Sequence, residues 1–269
     1  MANEQLDLFD EAVRPAPTPL PLPTAPHTVD AAALDDDGLL DGLADLPMEQ
    51  CLERVREIGR RKLSAACVPL EGLCLRHAGF GRTRIVPEQA AAIEAMIAIG
   101  GGEAGAAVGR LIGREIIGGP GLSLAFFAAD LLRFPLQEDV VRKHLRHDDP
   151  AIRCAAARCV RAGPQLAPIL IELLDDLHGD VQVAAACALG RLGAMEARPL
   201  LKRCLQEDPT LEVIDASAGI ADHEIIVFFR RLAASRPELS AAVMDALESA
   251  DDPTADKVLA ELRALQERR

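Results

Sequence analysis

Several groups of side chains in this sequence have the types and spacing that chemistry needs, and each also has a structural use. His144, His147 and Asp148 lie close together, and histidines three apart on a helix can share a metal ion. The same residues at a helix C-terminus answer its dipole instead, and that is the favoured account. Gly100, Gly102 and Gly105 match the spacing G-x-G-x-x-G. A dinucleotide site, however, needs a strand before the glycines and a helix after them, with an acidic residue about 20 positions on. An Ala-rich helical stretch precedes them, so they read as a turn between helices. Asp35, Asp36 and Asp37 lack the ligand ladder of a calcium loop and suit the polar outer face of a terminal unit. Arg54, Arg56, Arg60, Arg61 and Lys62 form the densest basic cluster. They offer a phosphate or partner patch. The alternative is an ion-paired, solvated face, because Glu53 and Glu57 lie at pairing distance on the same helix. Arg82 and Arg84 add to the patch from residues 79–86, an irregular loop that is the longest interruption in the pattern and a natural place for function.

Nucleophiles are poorly served. The seven cysteines (Cys51, Cys67, Cys74, Cys154, Cys159, Cys187 and Cys204) include no C-x-x-C pair. Odd in number and scattered, they read as reduced thiols packed as small hydrophobes in a cytoplasmic protein. Ser64 and Ser123 have no base partner evident in the sequence. No G-x-S-x-G, Walker A or H-E-x-x-H motif occurs. The expectation is a chain without catalytic residues, metal or cofactor.

Positioning any of these residues falls to helices. Hydrophobic residues make up 49 % of the 269 residues, but aromatics only 3 %, with no Trp and no Tyr. A core of Ala, Leu, Ile and Val suits closely stacked helices better than a β-sandwich. Net charge is −13, from 42 acidic and 29 basic residues, which argues against a surface that neutralises many phosphates. The N-terminal residues are acidic, without the basic and apolar regions of a secretory signal. No run of about 20 apolar residues is present to span a membrane.

The organising stretch is 148–193. Residues 152–163 and 181–193 are near-copies whose Ala-rich centres start about 30 residues apart, a repeat spacing. Between them Leu166, Ile169, Leu170, Leu173, Leu174 and Leu177 fall on one face of a predicted helix. Breakers separate the helices: Asp149-Pro150, Gly163-Pro164, Gly179-Asp180 and Gly193. Pro can open a helix and Gly can close one. A unit of helix, turn, helix, turn cannot bury its apolar face alone, so units must stack into a solenoid. Similar patterns over 30–269 predict six to seven helix pairs, preceded by one capping helix across 30–46. On these residues the chain resembles the HEAT-repeat family, particularly its short, phycobilisome-lyase-like form. The D-P-x-(I/V)-R-x-x-A-A signature stands as Asp149, Pro150, Ile152, Arg153, Ala155 and Ala156, with Gln182 in place of Arg153 in the second copy. The resemblance implies an all-α solenoid of stacked antiparallel helix pairs. It implies little about function, since such arrays serve many roles. Two HEAT-like enzyme families do not fit. Deoxyhypusine hydroxylases bind iron through four His-Glu dyads, and only His223-Glu224 is present. Alkyl-base DNA glycosylases need Trp and Tyr in a basic groove, and both are lacking.

Residues 1–29 stand apart as an expected disordered tail. Residues 15–26 are Pro-rich and read as an extended spacer. Ahead of them lie Gln5, Leu6, Asp7, Leu8 and Phe9, three apolar side chains on an acidic end. This pentapeptide is similar to the Q-L-(S/D)-L-F consensus by which bacterial proteins bind the β sliding clamp of the replicative polymerase. The resemblance implies Leu8 and Phe9 in an apolar pocket, Gln5 hydrogen-bonded at a second subsite, and Leu6 and Asp7 bridging them. The functional expectation is a non-catalytic protein-interaction adaptor recruited to the clamp in replication or repair, with a further protein partner in the solenoid groove. The alternatives are a general scaffold or regulatory subunit unrelated to DNA, and a DNA-binding or repair protein using the arginine patch.

Overall fold

The computed structural model describes residues 30–266, so the Gln5–Phe9 motif and the Pro-rich spacer lie outside the described residues. Among the described residues there is no strand. The helices are α1 (Asp36–Leu40), α2 (Met48–Arg61), α3 (Cys67–Arg76), α4 (Pro87–Ile99), α5 (Gly101–Gly113), α6 (Pro120–Leu131), α7 (Glu138–His144) and α8 (Pro150–Arg158). They continue as α9 (Ala167–Leu173), α10 (Gly179–Arg191), α11 (Arg198–Glu207), α12 (Leu211–Ala218), α13 (His223–Ser235), α14 (Ser240–Ser249) and α15 (Pro253–Gln266). Local sequence sets many starts. The side chains of Asp149, Thr210, Asp222 and Asp252 accept hydrogen bonds from Ala151, Val213, Ile225 and Thr254 N–H groups, and each such cap stabilises a helix by about 1 kcal/mol. Pro opens α4, α6, α8 and α15, where its missing N–H costs nothing.

The helices form two layers. In the first, α2, α4, α6, α8, α10, α12 and α14 pack each on the next. The second layer fills in behind: α3 lies on α4 and α5, α5 on α6, α7 on α8, α9 on α10, α11 on α10 and α12, and α13 on α14 and α15. The result is an all-α solenoid of stacked helix pairs. Alanine makes the first layer possible. Ala184, Ala185, Ala186 and Ala188 of α10 are fully or almost fully buried, as are Ala156 and Ala157 of α8 and Ala216 of α12. Small side chains let the layer close up, and larger ones such as Phe126, Leu170, Leu201 and Phe229 fill the space between layers. Burying each of these stabilises the fold by about 1.5–3 kcal/mol.

Glycine is decisive where α10 meets α12. A Cβ on Gly190 would come within 2.5 Å of the Ala216 carbonyl oxygen, and one on Gly219 would strike the Gly190 carbonyl. Backbone rather than side chain meets backbone there.

Three local expectations fail, each for a stated reason. Residues 30–46 are not one capping helix. They fold as two 3-10 turns around the short α1, because Asp30 and Asp35 cap separate starts and Gly42 is left-handed. The α5 helix starts at Gly101 rather than near residue 104, so Gly102 and Gly105 lie inside a helix and only Gly100 makes the turn. Gly105 makes room for Phe134, whose Cβ would lie 2.9 Å from an added methyl. Leu177, expected on a buried helical face, is 96 % exposed. The α9 helix stops at Leu173, and the following turn carries Leu177 out of phase.

Candidate functional site

Two sets of side chains define the surface on which function can be built: those that lock one unit to the next, and those left on the open face of the first layer. Arg153 leads the first set. Its Nε and Nη2 donate to Oδ2 and Oδ1 of Asp176, both at 2.9 Å, and its Nη1 donates to the His147 and Asp148 carbonyls at 2.8 and 2.9 Å. Neither partner is much exposed, the side chains showing 13 % and 7 % of their surface. The guanidinium holds the Asp176 carboxyl below the ordinary carboxylate range. In the next unit Gln182 replaces Arg153 and keeps only the backbone half of the pattern, donating to the Asp176 carbonyl at 2.7 Å. Further along, Glu212 of α12 receives Arg158 at 3.3 Å and Arg191 at 3.8 Å, while Arg191 also donates to the Arg158 carbonyl. These residues spend their charge internally.

The open face is different. First-layer helices are covered on both flanks and from behind, so their exposed residues share one outward face. Where it crosses α6, α8 and the start of α10 the face is notched. The notch has a volume of about 400 Å³. Its floor is small and apolar, from Ala151, Cys154, Ala155 and Val181, and Phe127, 47 % exposed, stands as one wall. The helices run in the same direction, as Cys159 on the Phe126 carbonyl and Arg161 on Asp130 show. Asp130 and Arg158 therefore mark one end, His178 and Asp180 the other. Ser123 lines this notch with the rest of its residue, while its hydroxyl oxygen is turned away, buried and without a hydrogen-bond partner among the described residues. Cys154 is not an activated thiol. Its Sγ lies 3.5 Å from the Asp180 carbonyl, and burial pushes the thiol pKa up. Around the notch the face is acidic. Glu94 of α4, Asp180 of α10, Asp215 of α12 and Asp245 of α14 are exposed and have no ion-pair partner among the described residues.

The basic residues marked in the sequence are not brought together. Arg54 donates to the Gly38 and Asp41 carbonyls. Arg60 and Arg61 both bind Glu57, at 2.7 and 2.6 Å, holding its carboxyl down at about 2, and Arg61 also reaches Asp36 and the Ala32 carbonyl. Arg56 and Lys62 are exposed, with Lys62 in the left-handed cap of α2. Arg82 and Arg84 are exposed on the irregular loop, which leads from the far end of α3. The Arg76–Asp45 pair, 3.4 Å, sets that end beside the start of α2, so α2, some ~20 Å long at 1.5 Å per residue, separates Arg82 and Arg84 from Arg60, Arg61 and Lys62. The loop is held by contacts that no local pattern announces. Gly119, left-handed, lies against the Gly81 and Arg82 carbonyls, and Gln89 donates to the Cys74 and His77 carbonyls.

The histidines serve the backbone. His144 is buried, donates from Nδ1 to the Val140 carbonyl at 2.7 Å and packs edge-on to Phe126. His147 Nδ1 accepts from the Asp149 N–H. Among the described residues no group of three or more His, Cys, Asp or Glu side chains is arranged to hold a metal ion, and no helix is long and apolar enough to cross a membrane. His223 and Glu224 are adjacent on α13, and Glu224 is taken up by Arg198 and Lys202.

Residues 138–220 match the family described as HEAT repeats. That stretch runs from α7 through α12 and holds the Arg153–Asp176 pair as well as the α8 and α10 parts of the notch. HEAT repeats form helical scaffolds that generally mediate protein–protein interaction. No curated protein matches the chain. Among solved structures it is similar to the X-ray structure of YibA of Escherichia coli, at 11 % identity and a TM-score of 0.39, over 81 % of this chain and 93 % of that one.

Proposed function

We propose that this chain is a non-catalytic, cytoplasmic HEAT-repeat adaptor that Gln5, Leu6, Asp7, Leu8 and Phe9 recruit to the bacterial β sliding clamp, and so to replication or repair. The observation that carries the reading is the pentapeptide itself: all five positions fit the clamp consensus, ahead of a Pro-rich stretch suited to presenting a short peptide at a distance. Leu8 and Phe9 are apolar side chains that gain from a pocket, and Gln5 offers both donor and acceptor. The scaffold supplies the second half of an adaptor, a surface for another protein. Net charge of −13 and the separation of the arginines support protein contacts over direct contact with nucleic acid.

The test is binding of the full-length chain, and of a labelled peptide of residues 1–15, to a bacterial β clamp by fluorescence polarisation and calorimetry. Micromolar affinity that disappears in Leu8→Ala with Phe9→Ala is the expected result. Unchanged affinity in that double variant, or no binding by the intact chain, would return the pentapeptide to coincidence and leave a general scaffold or regulatory subunit.

A further inference from the structure

The notch and the acidic face around it lie on the repeats themselves, apart from the N-terminal pentapeptide, and they define the second partner by chemistry. We propose that the open face of the first layer is the docking surface for a basic segment of a partner protein, which sets one aromatic or large aliphatic side chain into the notch between α6, α8 and α10. The inference deepens the adaptor reading and rests on its claim that the repeats bind protein.

Two observations meet here. The first is shape. Because α8 presents the small Ala151, Cys154 and Ala155 between Phe127 and the start of α10, with Pro150 and Arg158 at its two ends, the layer has a recess of about 400 Å³ with an apolar floor. A recess of this kind suits one bulky anchor of the sort that dominates protein interfaces. Phe127, with 47 % of its surface open to water, would gain from being covered. The second is charge. Glu94 lies on α4, before the notch, and Asp180, Asp215 and Asp245 lie on α10, α12 and α14, at and beyond it, all exposed on first-layer helices. The Arg158 and Arg191 guanidiniums near them share the single Glu212 carboxylate and so offset only one of these four. A row of unpaired carboxylates favours a Lys- and Arg-bearing partner, speeds its approach and repels an acidic one.

Nucleic acid does not fit this face, because its phosphates would meet the carboxylates. An acidic peptide fails for the same reason.

The experiment uses the full-length chain carrying Leu8→Ala and Phe9→Ala, so that clamp recruitment plays no part. Three labelled synthetic peptides of equal length serve as probes in fluorescence anisotropy: a Lys/Arg-rich peptide with one central Phe, the same peptide with Ala for Phe, and an acidic peptide with the central Phe. The basic Phe peptide is expected to bind, and to lose affinity about tenfold when its Phe is removed. Two protein variants should weaken it by a similar factor: Ala151→Phe, which fills the notch, and Asp180→Lys with Asp215→Lys, which reverses the field. Circular dichroism identifies any variant that fails to fold, and the other then decides. Equal binding of the acidic peptide, no binding of any peptide, or binding indifferent to both variants would overturn the proposal. A negative result here leaves clamp binding untouched, and a negative clamp result leaves this face untouched.

Discussion

Arg153 and Asp176 face each other across the junction of two repeat units in a bidentate pair, with both N–O distances at 2.9 Å. The guanidinium that makes this pair also closes off two carbonyls at the end of the preceding unit. One side chain therefore ties three places together: the turn before α8, α8 itself and the turn after α9.

Removing Arg153 should be costly. Arg153→Ala leaves a nearly buried carboxylate and two carbonyls without their donor, and breaking a buried pair costs about 3–5 kcal/mol. Arg153→Gln is expected to lose less, because Gln182 already shows in the next unit that an amide can serve the carbonyl part of the role. Urea unfolding of the two variants checks the order. Equal losses would mean that the carbonyl contacts contribute little and that the carboxylate pairing carries the effect.

Backbone contact at the α10–α12 crossing should not tolerate a methyl group. Gly190→Ala and Gly219→Ala should each lower stability by about 1–3 kcal/mol, the usual range for overpacking, since the atoms they strike are carbonyl oxygens that cannot turn aside. Gly102→Ala, at an open helical position, should be neutral or raise stability by about 0.4–1 kcal/mol. Melting temperatures of the three variants make the comparison.

Acid should weaken the fold in two stages. Burial lowers the His144 pKa, and Lys143 and His147 nearby push the same way. Unfolded, this histidine binds a proton near pH 6.5; folded, it does so only at lower pH. Its contribution is therefore intact above about 6.5 and declines as the pH falls below that value towards its folded-state pKa. Asp176, held low by Arg153, contributes fully above about 3.9, the unfolded value, and its share is lost as the pH falls through its lower folded-state pKa. The urea midpoint measured from pH 8 to pH 5 should fall more steeply in the parent than in His144→Leu. Identical slopes would show that His144 does not titrate on unfolding in this window.

Thiol reactivity should sort by depth. Burial pushes Cys74, Cys159 and Cys187 to about 12, leaving almost no thiolate at neutral pH. Cys154 and Cys204 are only half-buried. Brief alkylation of the native protein, read by mass spectrometry, should mark Cys154 and Cys204 first and spare the other three until the chain is unfolded.

What the sequence disclosed depended on how far apart the partners are. Asp149 and Pro150 announce the start of α8 because cap, proline and helix are adjacent. The partner of Arg153 is 23 positions away, and no local pattern marks Asp176 as that partner. Gly105 reads as a turn residue, yet Gly105 and Gly109 together admit Phe134. The signal was present, as small residues four apart on a helix, but its partner was not adjacent. Leu177 misled because helical spacing says nothing about where a helix stops. The notch is a negative feature, made by the smallness of Ala151 and Ala155 beside Phe127, and only the packing of three helices makes it visible.

The glycine contact between α10 and α12 also bears on how the array carries load. Helices separated by side chains can slide and re-pack, whereas two backbones in direct contact leave little play. The joint at Gly190 and Gly219 is therefore a stiff one. A force applied along the array would pass through this joint and be taken up at neighbouring ones, where side chains can yield. The units on either side of that crossing would then turn together as one lever.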